Sequence, residues 1–204
     1  RIVVDKADCV VGYLIAAAFL DDLRFFGTER ERVKYMADVK SKIKVTFEEP
    51  PVTEFVSIET YQCMTTNTCE LKMPRYFQKA AAAFSSFFPD GMKERIVPMS
   101  VLDEKLVGVV PTEEEILQAK YLPFRQILGV LSYPASQCHF AMKYSISVLG
   151  SRRGGWNKAQ FEALLKVFEY GVTTREIGVI YSKGLDPHGD NTLYAYADAS
   201  LKVP

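Results

Sequence analysis

Two adjacent acidic residues, Asp21 and Asp22, divide an apolar, β-forming run that reaches from Val10 to Leu20 and resumes as Leu23-Arg24-Phe25-Phe26 before Gly27. An acidic doublet between two apolar strands predicts a hairpin with both carboxylates at its tip. Such a pair is costly there unless cations or water meet it. The longest apolar run, Cys9 to Leu20, lies between Asp8 and Asp21. It falls short of the roughly 20 residues that a membrane-crossing helix needs, so no membrane span is expected.

Beyond the hairpin, Thr28 precedes a charged segment, Glu29 to Lys44, with apolar residues at Val33, Met36, Ala37, Val39 and Ile43. Thr28 with Glu31 matches a capping box, and the segment is expected to be an amphipathic helix covering a sheet. Pro50-Pro51 breaks the chain, Glu54–Tyr61 and Cys69–Met73 read as a second hairpin, and Pro74 opens a helix through Phe84. From Phe88 to Thr112 three prolines, two glycines and no sustained period predict an irregular linker. After it, helices are expected over Glu113–Gly129 (continuing towards Tyr133), Ala135–Leu149 and Asn157–Tyr170. The last carries Phe161, Leu164, Leu165 and Phe168 at i, i+3, i+4, i+7 spacing. A short strand at Gly178–Tyr181, a polar loop over Lys183–Asn191 and a final strand at Leu193–Ala199 close the chain. The expected class is α+β. An α+β part with an antiparallel sheet and covering helices occupies 1–87, a linker 88–112, a helical part 113–184, and the first strand of a further domain 185–204.

Composition narrows the function classes. With 204 residues, 25 basic and 25 acidic side chains, the formal net charge is zero. That argues against coating nucleic acid or an anionic membrane through bulk charge, while leaving room for a local basic groove. Disordered, collagen-like and coiled-coil classes do not fit a chain that is 48% hydrophobic and 25% charged. Cys9, Cys63, Cys69 and Cys138 form no CxxC pair. Reduced thiols in an intracellular protein are expected, a Cys63–Cys69 bridge being the lesser reading. Arg1 in place of Met implies that the true start is missing or processed.

Three groups of residues are candidates for chemistry. Asp21 and Asp22 suit Mg²⁺, a hard cation that takes oxygen ligands and typically uses one or two protein carboxylates with substrate phosphates. Phosphoryl-transfer enzymes place such pairs so that two ions bracket the attacking and leaving oxygens; the plainer reading is a polar doublet that makes a turn. Asp198, inside the strand-like run Leu193–Ser200, can mark a metal site or end an edge strand. Arg152, Arg153, Lys158 and Lys166 are candidate phosphate contacts, or a solvated face.

Taken in order, these segments resemble the reverse transcriptase of copia-type LTR retrotransposons. Phe19-Leu20-Asp21-Asp22-Leu23-Arg24-Phe25-Phe26-Gly27 looks like that family's palm hairpin, and Glu54-Phe55-Val56-Ser57-Ile58-Glu59 like its next strand. Arg75-Tyr76-Phe77 and Ile96-Val97-Pro98-Met99 come after these, in the family's order. The most specific stretch is Pro123-Phe124-Arg125-Gln126-Ile127-Leu128-Gly129-Val130-Leu131-Ser132-Tyr133, similar to the start of a thumb-like helix. Phe161–Tyr170 and Tyr181-Ser182-Lys183-Gly184 match later motifs, and Tyr196-Ala197-Asp198-Ala199-Ser200 looks like the first strand of a ribonuclease H domain.

The resemblance implies an RNA-directed DNA polymerase acting on a primer–template of RNA and DNA with nucleotides. Asp21 and Asp22 would be its second and third metal-binding aspartates, Asp198 the first ribonuclease H carboxylate, and Mg²⁺ the cofactor. The first palm aspartate would lie upstream of Arg1 and the remaining ribonuclease H ligands beyond Pro204. The pattern also departs from the family: Arg24 charges the returning strand, Ser57 replaces a glycine, Pro134 falls within a helix, and Gln137-Cys138-His139-Phe140 and Gly171-Val172-Thr173-Thr174 replace customary motifs. These departures open a second expectation, a repurposed retroelement remnant serving as a non-enzymatic structural subunit of a larger protein assembly.

Overall fold

The computed structural model describes residues 2–4, 10–19, 22–44, 53–63, 65–151 and 155–182. It is an α+β arrangement. Strands β1 (Ile2–Val4), β2 (Val10–Phe19) and β3 (Asp22–Gly27) form an antiparallel sheet in that order. At the end of β3 a Cβ on Gly27 would stand 2.2 Å from the Tyr13 carbonyl oxygen, so only glycine permits this approach. The next amide, Thr28 N–H, donates to that same oxygen at 3.1 Å.

Helix α1 (Glu29–Lys42) packs on β2 and β3, with Tyr35 edge-on to Phe25 at 5.1 Å. Its cover is partial, since Val33 and Ile43 remain exposed. The expected Thr28 cap is not formed: the Thr28 hydroxyl accepts no capping hydrogen bond and is buried without a partner.

A second antiparallel sheet runs β4 (Glu54–Phe55), β5 (Ile58–Cys63), β6 (Thr68–Lys72), β7 (Val179–Ser182). The stretch expected as one strand over Glu54–Tyr61 therefore turns back on itself at Val56-Ser57. Both turn residues have positive φ, 53° and 62°, as a two-residue hairpin turn requires. Val is a poor residue for that conformation, and the Tyr133 hydroxyl donates to its carbonyl at 2.6 Å. Cys63 and Cys69 are free thiols, not a bridge. Cys69 faces Gln62 across the sheet and Cys63 faces Thr68, so the pleat sends the two side chains to opposite faces.

The segment 88–112 is not a featureless linker. It contains helix α3 (Val101–Gly108), opened by a reciprocal capping box between Ser100 and Asp103. Ahead of it, Phe88, Met92 and Met99 pack on the main core. The Glu169 carboxylate, 6% exposed, accepts from the Lys93 amide at 2.9 Å and from Arg95 Nε at 2.8 Å. Nor does the segment separate a palm-like unit from a helical one. Phe77 and Ala80 of α2 (Pro74–Ala83) share one buried cluster with the later helices, and β7 returns from beyond them to pair with β6.

The helices expected over 113–133 and 135–149 are distributed differently. Helix α4 (Glu113–Ala119) ends before Pro123, which disfavours helical backbone at the residue ahead of it, and α5 spans Phe124–Gln137. A 3-10 turn at Phe140–Met142 leads into α6 (Lys143–Gly150). Helix α7 (Lys158–Thr173) is central and touches α2 through α6. Its Leu164, Val167 and Phe168 are fully buried. Gln160, also fully buried, closes the Asn157 cap while its Nε2 donates to the Val107 and Val109 carbonyls at 3.3 and 3.0 Å. One side chain thereby satisfies the start of α7 and the end of α3. The final strand expected at 193–199 and the whole of 185–204 lie outside the described residues.

Pro134 sits inside α5, where its missing N–H deprives the Val130 carbonyl of its helical donor. The Tyr76 hydroxyl of α2 donates to that carbonyl at 2.9 Å. Tyr76→Phe is therefore expected to cost about 1–3 kcal/mol, the cost of an unsatisfied buried acceptor. Adding Pro134→Ala restores the helical N–H, so the double variant should lose less than Tyr76→Phe alone. Denaturant unfolding followed by the fluorescence of Trp156, the chain's only tryptophan, measures both. Additive losses would contradict this pairing.

Candidate metal and nucleic-acid site

The apolar, β-forming runs on both sides of the doublet fold as antiparallel strands, with Ala16 opposite Phe25, Ala18 opposite Leu23 and Phe19 opposite Asp22. Asp22 thus begins β3 at the end of the β2–β3 ladder. Asp21 lies outside the described residues, and of Asp22 only the backbone is described. Asp198, Arg152 and Arg153 also lie outside them. Among the described residues no group of three or more His, Cys, Asp or Glu side chains converges on a common point. As donors, two carboxylates offer the hard oxygens that Mg²⁺ takes.

Lys158 and Lys166 do not form one cluster. Eight residues apart on α7, they are separated by about 12 Å of helix rise and about 80° of rotation. Lys158 is the first helical residue, its side chain 84% exposed, and its 3.9 Å approach to Glu162 is a weak surface pair. It stands on the rim of a groove of about 420 Å³ between α4 and α7, floored by Leu122, Phe161 and Leu165 and edged by Glu115 and Gln118.

Lys166 is committed internally. Its Nζ lies 2.5 Å from Oδ1 of Asp103, a carboxylate only 4% exposed, whose other oxygen accepts from the Ser100 amide and hydroxyl. Burial pushes the Asp103 carboxyl up, but the bonds from Lys166 and Ser100 outweigh it and hold it below the ordinary value. The pair anchors α3 on α7. Sequence reading missed Asp103, although Ser100-x-x-Asp103 has the spacing of a cap.

Two further buried polar residues lie in the helical core: Glu169, which sequence reading missed, and His139, whose pairing with Cys138 in the sequence lacks an orienting partner for catalysis. Glu169 holds the 93–95 segment through its bonds to Lys93 and Arg95. His139, between α5 and the 3-10 turn, is 1% exposed and lies edge-on to Phe77 and Tyr170, both at 5.7 Å. Cys138 beside it is buried, and burial pushes its thiol up to about 11. That suits a packing thiol, not a nucleophile. Among the described residues no helix is long and apolar enough to cross a membrane. No family model matches the chain, and no solved structure matches it.

Proposed function

We propose that this chain is a portion of an RNA-directed DNA polymerase of the copia-type retrotransposon kind, with Asp21 and Asp22 as metal-binding carboxylates of nucleotidyl transfer. The observation that carries the reading is the β2–β3 hairpin. Its register puts Phe19 opposite Asp22 between two apolar strands, and α1 lies against it. The ordered series of similar motifs through the rest of the sequence supports it.

In this reading the carboxylates of Asp21 and Asp22 would hold Mg²⁺, which would supply charge neutralisation at the α-phosphate of a nucleotide and favour the deprotonated 3′-hydroxyl of the primer. Asp198 would serve a separate ribonuclease H centre. Of the two candidate lysines described, Lys158 keeps its charge at the surface, within reach of a primer–template phosphate, while Lys166 is paired within the fold.

Primer extension on an RNA template with Mg²⁺, using the natural full-length product, tests the proposal. Asp21→Asn or Asp22→Asn is expected to lower extension at least about a hundredfold, the scale of several kcal/mol of lost transition-state stabilisation. Unchanged extension in both variants, or none in the natural protein, would overturn it.

One observation favours a second reading, a repurposed remnant acting as a structural subunit of a protein assembly. Lys166, offered by the sequence as a phosphate contact, instead builds the fold through Asp103. Recovery of the chain as a stoichiometric component of a complex free of nucleic acid would favour this reading.

A further inference from the structure

His139 sits where three parts of the fold meet: the end of α5, the last turn of α7, and the Thr174–Ile177 turn that carries the chain on to β7. Its Nε2 lies 2.9 Å from the Thr174 hydroxyl oxygen and 3.1 Å from the Thr174 carbonyl oxygen. The Thr174 hydroxyl already donates its hydrogen to the Tyr170 carbonyl at 2.6 Å. Nε2 must therefore be the donor, so the neutral ring carries its proton there and leaves Nδ1 bare. Nδ1 is buried with no hydrogen-bond partner. A bare nitrogen there carries the cost of one unsatisfied acceptor, whereas protonating it would bury a charge, which costs more.

We propose that His139 is an acid-sensitive latch at the joint between the helical core and the β4–β7 sheet, closed while the imidazole is neutral and opened by its protonation. Beyond the backbone of Thr174 and of His139 itself, the groups that face it offer the cation little compensation. From α2 comes the Phe77 ring and from α7 the Tyr170 ring, while Cys138, the preceding residue at the end of α5, is buried and uncharged. In the turn, Thr174 is followed by Arg175, which donates to the Val172 carbonyl at 3.1 Å, and by the carboxylate of Glu176, which is taken up by Lys72 at 3.2 Å and Arg175 at 4.0 Å. The carboxylate of Glu169, the residue before Tyr170, accepts from the Lys93 amide and from Arg95 Nε.

Burial pushes the imidazole below its ordinary 6.5, and the backbone of Thr174 and of His139 itself offsets that only in part. With the folded value below the unfolded one, the latch contributes its full stability above pH 6.5. That stability is lost as pH falls from there through the folded value.

The chain has two histidines, His139 and His188, which gives the test its control. Amide protection factors over residues 170–182 of the full chain are compared between pH 7.5 and 5.5. In the natural sequence, protection is expected to fall by up to about tenfold at pH 5.5, as binding one proton on opening requires. His139→Gln, which keeps a donor for Thr174 and does not titrate, should flatten the profile, and His188→Gln should leave it sloped. A flat profile in the natural chain, or a slope that survives His139→Gln, would overturn the latch. Should His139→Gln fail to fold, the ring protons of His139 in the natural chain decide by NMR. A midpoint below 6.5 supports the proposal, and one at or above 6.5 defeats it.

Discussion

Phe168→Ala is expected to destabilise the helical core by about 4 kcal/mol, within the range measured for buried phenylalanine truncations. Phe168 is fully buried on α7, at the contact between that helix and the segment following α2. Phe84 meets its ring edge-on at 5.8 Å, and Phe88 stacks on it at 5.5 Å with planes 26° apart. Truncation removes the transfer energy of the ring, opens a cavity that these two rings line, and forfeits two aromatic contacts of about 0.5–1.5 kcal/mol each. The effect should also be localised in a way that an ordinary cavity is not. Phe84 and Phe88 bracket the 3-10 turn Ser85–Phe87, and the chain from there to Met99 rests on the same core. Amide protection over 84–99 should therefore fall more than protection over 124–137. Phe168→Leu, which refills much of the volume, should lose less than half as much. Denaturant midpoints read by Trp156 fluorescence check the magnitude, and a loss under about 1 kcal/mol for the alanine variant would contradict this placement.

The sequence makes legible whatever depends on neighbours along the chain. The β-forming apolar runs that Asp21-Asp22 interrupts yield β2 and β3, and the 3.6-residue spacing of Phe161, Leu164, Leu165 and Phe168 yields α7. The misreadings share a different cause, in that a partner distant in sequence decides the local outcome. Pro134 signals a break, yet α5 continues through it because the Tyr76 hydroxyl satisfies the carbonyl that proline strands. Val56-Ser57 has neither Asn nor Gly to announce a turn, and the bond from Tyr133 holds it. Segment 88–112 looks like a linker because α3 is two turns long, too short for a period to emerge.

The candidate site divides along the same line. The acidic hairpin is a local pattern and is legible in the residues themselves. Which lysine remains free for a phosphate is a tertiary fact: Lys166 is spent on Asp103, 63 residues earlier in the chain, while the matching charge in Lys158 stays at the surface.

Two helical glycines are expected to respond to the same substitution with opposite signs. Gly129→Ala, on the exposed side of α5 with nothing within 4 Å of the added Cβ, should stabilise the chain by about 1 kcal/mol, the helix-propensity difference. Gly171, in the last turns of α7, has the same intrinsic preference for alanine, but a Cβ there would stand 2.7 Å from the Phe77 ring and 2.9 Å from the Met142 sulfur. Neither neighbour has slack, since Phe77 is 1% exposed and Met142 fully buried, and Phe77 is also held edge-on to His139. Overpacking of a dense core costs typically about 1–3 kcal/mol, which exceeds the propensity gain. Gly171→Ala should therefore be destabilising by about 1–2 kcal/mol, and Gly171→Val by about 3 kcal/mol or more, as β-branching adds a second clash. The contrast between positions isolates packing from propensity, because both residues lie in α-helices of the same cluster. Denaturant midpoints of the three variants measure it. Stabilisation by alanine at both glycines would show that α7 does not approach α2 and the Met142 turn this closely. Destabilisation at both would show instead that Gly129 is not open to solvent.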